Sequence, residues 1–178
     1  MINDNKVILV DEFDNELGVM EKLQAHTHAS LHRAISVFIV NSNGNWLIHR
    51  RHFDKYHSAG LWSNTCCSHP APGESTADAA ARRLKYEMGI STELTYLFHF
   101  VYRAELDNGL TEYELDHVFG GVTDSIPFPH SDEVEEYRYI TFEQLALEIE
   151  QSPENFSEWF KLIFERVNEY LKLLLCNV

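Results

Sequence analysis

Hydrophobic and polar positions along the chain alternate in two rhythms. In "SVFIVNSNGNWLIHR" two apolar runs flank Asn43-Gly44, which predicts a β-hairpin with its turn at that pair. "HSAGLWSNTCCSHPAPGES" has Gly and Pro punctuation and no sustained period, so it is expected to be a long loop. "STADAAARRLKYEMGI" changes to a helical period, with Ser75 and Asp78 as a capping box. Ala77, Ala81, Leu84 and Met88 form its apolar stripe, and Gly89 stops it. "LTYLFHFVYRAELDNGLTEYELDHVFGGV" predicts two long strands joined at Asp107-Asn108-Gly109. "EYRYI" is a further strand, and Thr141 with Gln144 caps a short helix over "FEQLALEIE". In the C-terminal stretch, Phe160, Ile163, Val167, Leu171 and Leu174 recur at helical spacing. Hairpins mixed with helices predict an α/β (α+β) fold, with a mixed β-sheet sandwiched between helices.

The chain has 178 residues, 44% of them apolar, which fits a single domain over 1–178 with a buried core. No apolar run is long enough to cross a bilayer, and "MINDNKVILV" has no basic region before an apolar stretch. No membrane insertion and no secretory signal are therefore expected. Three cysteines are too few and of the wrong parity for a disulfide framework, so a reduced, cytoplasmic protein is expected. Nothing in the sequence demands a dimer, and a monomer or weak dimer is expected.

Charge adds a local feature. The net charge of −14 argues against a nucleic-acid partner. Yet residues 1–103 hold 10 of the 14 Lys+Arg, some in the tight groups "HRRHFDK" and "RRLK". For any single lysine, solvated surface charge is the simpler reading. Two basic clusters in an acidic chain point to a site for an anion such as a phosphate ester. Arg83 and Glu87, four apart, can reach each other or a shared ligand.

Glu112, Glu114 and Asp116 share one face of their strand. Alone they read as a solvated edge. Four histidines, His26, His28 and His32 in "AHTHASLH" and His69 in "NTCCSHP", change that reading. Imidazoles with two carboxylates make a nitrogen–oxygen donor set that suits zinc, manganese or a similar divalent ion. Cys66 and Cys67 are adjacent, which fits neither zinc-finger spacing nor an unstrained disulfide. At least one is a candidate reactive thiol, and Cys66 can equally be a core residue pointing away from Cys67. Cys176 needs no role.

"GLWSNTCCSHPAPGES", "ARRLKYEMGI" and "TEYELDHVF" resemble the type I isopentenyl-diphosphate isomerases, a branch of the Nudix superfamily, over nearly the whole chain. The resemblance implies a Nudix-like fold. The Nudix helix signature is R-E-U-x-E-E-x-G-U, where U is bulky and apolar. Arg82, Leu84, Glu87, Gly89 and Ile90 fit it, whereas Arg83 and Tyr86 replace glutamates. Ala79 stands where an earlier glutamate is expected. Those missing carboxylates are the metal set of a pyrophosphohydrolase, so the departure favours isomerisation. The resemblance implies conversion of isopentenyl diphosphate to dimethylallyl diphosphate, with Cys67 and Glu114 as catalytic residues on opposite faces of the substrate. It assigns Trp159 to stabilise a carbocation, although the helix pattern alone makes Trp159 core, and Tyr102 to hydrogen-bond Glu114. It implies metal ligands His26, His32, His69, Glu112 and Glu114, for Mn²⁺, Zn²⁺ or Mg²⁺. It further implies Mg²⁺ on the diphosphate held by Glu87, with Lys22, Arg51, Lys55 and Arg83 on the diphosphate itself. The spacing "HTHASLH" is one residue shorter than the family's, which leaves His28 as an alternative to His26 and Asp116 as an assistant. A Nudix hydrolase and a non-catalytic metal- or diphosphate-binding module are the competing functions.

Overall fold

The computed structural model describes residues 5–176, the side chain of Asp107 excepted. Among the described residues, nine strands form one mixed sheet. β1 (Lys6–Val10) and β2 (Glu16–Glu21) make an antiparallel hairpin that leads into the short helix α1 (Lys22–Thr27). None of these three was marked by the hydrophobic pattern. β3 (His32–Val40) runs through the centre. It pairs in parallel with β8 (Thr111–Val122) along its whole length, and β8 pairs antiparallel with β7 (Thr95–Glu105).

The other edge of β3 is shared. It pairs near its start with β1, then with β6 (Cys66–Ser68), then with β4 (Trp46–Arg51). The Asn43-Gly44 turn forms as predicted, with Gly44 at φ 77°. The hairpin pairs only at Ile39–Leu47 and Val40–Trp46 before β4 diverges to β5 (Trp62–Ser63) and β9 (Val134–Ile140). The expected loop over 57–75 thus contains two short strands. β6 fills the gap that β4 leaves along β3, because unpaired edge N–H and C=O groups seek partners.

Helices cover both faces. α2 (Thr76–Met88) packs Ala79, Ala80, Leu84 and Met88 on Ile35, Val37 and Ile39. Ala77 and Ala81, expected on the buried stripe, are exposed. Arg83 and Glu87 take the buried edge instead, because they face a cavity rather than apolar core. Both caps form as predicted: Ser75 Oγ accepts from the Asp78 N–H, and Gly89 takes a left-handed φ of 69°. A Cβ on Gly89 would lie 2.7 Å from the Phe128 carbonyl oxygen, so glycine is required twice over. On the opposite face, α3 (Phe142–Gln151) and α4 (Glu158–Leu175) pack on Phe38, Val40 and Val118. Phe160, Ile163, Val167 and Leu171 are buried at the predicted helical spacing, with Leu174 partly buried. No helix among the described residues is long and apolar enough to cross a membrane.

Candidate active site

The site grows from strand register. Facing residues on paired strands put their side chains on one side of the sheet. Glu114 lies opposite His32 on β3 and opposite Tyr102 on β7, while Cys67 on β6 lies opposite Ser36. One face therefore carries Glu112, Glu114, Asp116, His32, Ser36, Tyr102 and Cys67. The carboxylate row is not a solvated edge: Glu112, Glu114 and Asp116 are 3%, 7% and 1% exposed. β7 and β3 flank it, and buried like charges demand partners.

The partners are histidines. His69 Nε2 is 2.8 Å and His32 Nε2 3.4 Å from Glu114 Oε1. The two ring nitrogens are themselves only 3.2 Å apart. His32 Nδ1 donates to the Ser30 carbonyl and His26 Nδ1 donates to the Lys22 carbonyl, each at 2.8 Å. Both rings thus turn the lone pair of Nε2 inward, the orientation that metal-ligating imidazoles take. His26, His32, His69 and Glu114 each offer a ligand atom within 4.8 Å of the others. Glu112 stands beside this set, 3.3 Å from His26 Nε2. His26 Nε2 and Glu112 Oε2 are buried without a hydrogen-bond partner among the described residues, which fits a cation site. The neighbour His28 is exposed and is not among the residues of this donor cluster.

Electrostatics separate the acids. Burial pushes Glu114 up, but the adjoining His32 and His69 imidazoles outweigh it and hold its carboxyl well below the usual range. Burial, and then the charge of Glu114, pushes Glu112 well up. Asp116 is raised by burial and by Glu114, although Ser36 Oγ donates to it at 2.7 Å. Burial lowers His69 to about 3 against the pull of Glu114, so the ring is neutral.

Cys67 and Cys66 point to opposite faces, as extended backbone requires. Cys66 is fully buried beneath α2. Cys67 opens into the cavity, where burial raises its thiol to about 12. Arg51 opposes that shift, with Nη1 3.8 Å from the sulfur. The Arg51 guanidinium also lies 5.2 Å over the Trp159 ring. Trp159 is buried, and its Nε1–H donates to Asn64 Oδ1 at 3.1 Å. The Asn64 amide donates to the Cys66 and Val37 carbonyls at 2.7 and 3.1 Å, so one fully buried side chain ties the indole to the thiol strand.

A cavity of about 280 Å³ joins these groups to a cationic wall of Lys22, Arg51, Lys55 and Arg83. Arg83 Nη2 donates to Glu87 Oε1 at 2.7 Å and lies 3.4 Å from Glu133, which also pairs with Lys55. Burial opposes the Arg83 charge, but Glu87, Cys66 and Glu133 outweigh it and keep the guanidinium protonated. Burial raises Glu87 despite Arg83. Lys22 sits 5.6 Å over the Tyr56 ring. All thirteen residues expected at the site fall in this cavity or in the donor cluster at its floor.

Four participants were not expected: His57, Tyr56, Glu133 and Asn64. His57 and Tyr56 follow the "HRRHFDK" cluster and Asn64 opens "NTCCSHP", so their neighbours were signals. Glu133 lies in an acidic stretch with nothing to single it out.

Residues 30–160 match the NUDIX domain. The DR0079 protein of Deinococcus radiodurans superposes with a TM-score of 0.74 over 90% of this chain and 98% of its own, at 17% identity. That likeness shows the fold. The isopentenyl-diphosphate Delta-isomerase of Pectobacterium atrosepticum is 52% identical over 93% of this chain and 92% of its own length. Isopentenyl-diphosphate Delta-isomerase 1 of Aromatoleum aromaticum is 51% identical over 92% and 93%. A Nudix domain with relatives this similar over this much of their length leaves one conclusion: the chain belongs to the isopentenyl-diphosphate Delta-isomerase family within the Nudix domain proteins.

Proposed function

We propose that this chain converts isopentenyl diphosphate to dimethylallyl diphosphate by a 1,3-allylic proton shift, as a step of isoprenoid biosynthesis. The observation that carries the reading is that the Cys67 thiol and the Glu114 carboxylate line one cavity together with the cationic wall. Cys67 and Glu114 lie on β6 and β8, the strands that flank β3. Cys67 lies opposite Ser36 and Glu114 opposite His32, four residues away along β3, so at a strand spacing of about 4.8 Å and a rise of about 3.3 Å per residue their backbones are about 16 Å apart, a span left to the two side chains and the five-carbon chain between them.

A proton adds to the terminal CH₂ carbon of the alkene, a tertiary cation forms, and loss of a proton from C2 moves the double bond. The reaction is reversible, so each of Cys67 and Glu114 acts as acid in one direction and base in the other. Arg51, 3.8 Å from the sulfur, supplies the counter-charge when the thiol gives up its proton. Tyr102 Oη donates to Glu114 Oε2 at 2.6 Å and steadies the carboxylate. The Trp159 face stabilises the cation by about 2 kcal/mol in a dry site and, unlike water, cannot capture it.

The diphosphate is assigned to Lys22, Arg51, Lys55 and Arg83, away from the carboxylate row that repels it. A Mg²⁺ carried with the diphosphate is assigned to Glu87. His26, His32, His69, Glu112 and Glu114 are assigned to a second divalent ion: Mn²⁺, Zn²⁺ or Mg²⁺. Bound there, it fixes the orientation and charge of Glu114. Against hydrolysis, Ala79 is fully buried in apolar core, with no room for a carboxylate, and Arg83 puts a cation where the hydrolase signature has an acid.

The test is to incubate the protein and divalent metal separately with isopentenyl diphosphate and with nucleoside diphosphate derivatives. Double-bond migration in the first and no phosphate release from the second is expected. Phosphate release without migration refutes the reading, and binding without turnover identifies a non-catalytic module.

A further inference from the structure

Asn64, between β5 and β6, is fully buried, and its side chain uses every hydrogen bond it can make. Nδ2 donates to the carbonyl oxygens of Val37 on β3 and Cys66 on β6, at 3.1 and 2.7 Å. Oδ1 accepts from Ser63 Oγ at 3.0 Å and from Trp159 Nε1 at 3.1 Å. A carbonyl oxygen cannot donate and an indole N–H cannot accept, so the amide has one orientation only. Ser63 has a single hydroxyl proton and gives it to Asn64. The 2.9 Å contact between Ser63 and Ser157 is therefore a donation from Ser157 Oγ.

Ser157 is the N-cap of α4, where a serine hydroxyl ordinarily caps its own helix. Here it makes no cap bond and turns to Ser63 instead. The Ser157 N–H donates to the Trp62 carbonyl at 2.9 Å. Trp159 stands in the first turn of that helix. The start of α4 is thus tied to β5 and, through Asn64, to the strand that carries Cys67. The indole so held lines the cavity, with the Arg51 guanidinium 5.2 Å over the ring. A ring attracts a cation at its face and repels one at its edge, so the angle of the indole decides what it does. A buried N–H left without an acceptor is costly, and Asn64 supplies the acceptor at one angle.

We propose that Asn64 is a positioning residue for isomerisation: it sets the angle of the Trp159 ring against the Cys67 strand, so that the face of the ring meets the carbocation. This rests on the function proposed above and deepens it. Asn64 acts through the indole and not on the substrate. The site demands two donors and two acceptors in one plane, which a primary amide of this length provides. Aspartate would set an oxygen against the Cys66 and Val37 carbonyls, and alanine would leave the indole N–H and both carbonyls unpaired.

The experiment combines Asn64→Ala with Trp159→Phe, singly and together, in the full-length metal-loaded protein. Asn64→Ala is expected to lower kcat for isopentenyl diphosphate about tenfold, the worth of one hydrogen bond in the transition state. KM is expected to stay within about twofold, because the cationic wall is untouched. In the Trp159→Phe background the same change is expected to lower kcat less than about twofold, because the group it acts through is gone. The indole N–H signal of Trp159 in the proton magnetic resonance spectrum, identified by its absence from Trp159→Phe, is expected to move upfield in Asn64→Ala. Asn64→Ser serves if the alanine variant does not fold. An unchanged kcat, a rise in KM alone, an equal loss in both backgrounds or an unmoved indole signal overturns the proposal. Wild-type protein that leaves isopentenyl diphosphate unchanged sinks the function, whatever the variants do. An active wild type with any of the contrary results sinks only the role of Asn64.

Discussion

Replacing Tyr102 with phenylalanine removes one oxygen and leaves the ring. That oxygen donates to Glu114 Oε2 at 2.6 Å, inside the cavity wall. The ring stacks on Phe100 at 5.3 Å and 18°, a contact the variant keeps. Glu114 loses one of its donors, while His69 still holds the other oxygen at 2.8 Å. A hydrogen bond to a charged group is worth about 1.5–3 kcal/mol, so a full loss in the transition state lowers kcat about tenfold to 150-fold. KM is expected to change little, because the diphosphate wall does not involve Tyr102. The sign of the pH effect follows from the same bond. Tyr102 favours the ionised carboxylate, so its removal lifts the Glu114 pKa and shifts the acid limb of the kcat profile to higher pH. The assay is steady-state isomerisation across pH, with metal content measured in parallel. An unchanged kcat with metal retained refutes the role given to Tyr102, and a loss of metal shows that its oxygen supports the donor cluster instead.

Cys67→Ala is expected to abolish isomerisation with metal content intact, while Cys66→Ala keeps activity and loses about 1 kcal/mol of stability from its site under α2; reversed results in the activity assay would reassign the thiol. Removing divalent metal by chelation is expected to inactivate the protein, and re-addition to restore it; full activity in metal-free protein contradicts the assignment of the histidine–glutamate cluster. Burial, and then Arg51, lowers His49 to about 4, while its Nδ1–H donates to the Asn64 carbonyl at 2.6 Å. Between pH 4 and about 6.5 the unfolded chain therefore binds a proton that the folded chain refuses, so stability rises with pH across that window by at most about 3 kcal/mol and is flat above it. Denaturant titrations of wild type and His49→Gln check this: the variant should have the shallower rise, and equal slopes would contradict it.

How much of this was legible in sequence depended on how local each feature is. The α2 caps were legible because Ser75, Asp78 and Gly89 act within their own turns. The pairing of Glu112 with Glu114 on one face followed from strand alternation. Their burial did not, because it depends on β7 and β3 arriving on either side from distant parts of the chain. Ala77 and Ala81 were misplaced for a related reason. Alanine gives little hydrophobic contrast, and the charged pair Arg83 and Glu87 occupies a buried edge that only the cavity explains. His57 and Glu133 depend on the path of loops, which no periodicity records. The thiol loop hides β6, whose three residues are too few to show alternation, yet this strand sets which cysteine faces the cavity.

The central claim is that a proton enters the alkene at one end and leaves at the other, between Cys67 and Glu114. Nuclear magnetic resonance of isopentenyl diphosphate turned over by the metal-loaded protein in D₂O tests it directly. Deuterium in a methyl group of dimethylallyl diphosphate, absent with Cys67→Ala or Glu114→Gln, is the predicted result. Product without solvent deuterium, or undiminished labelling in either variant, contradicts it.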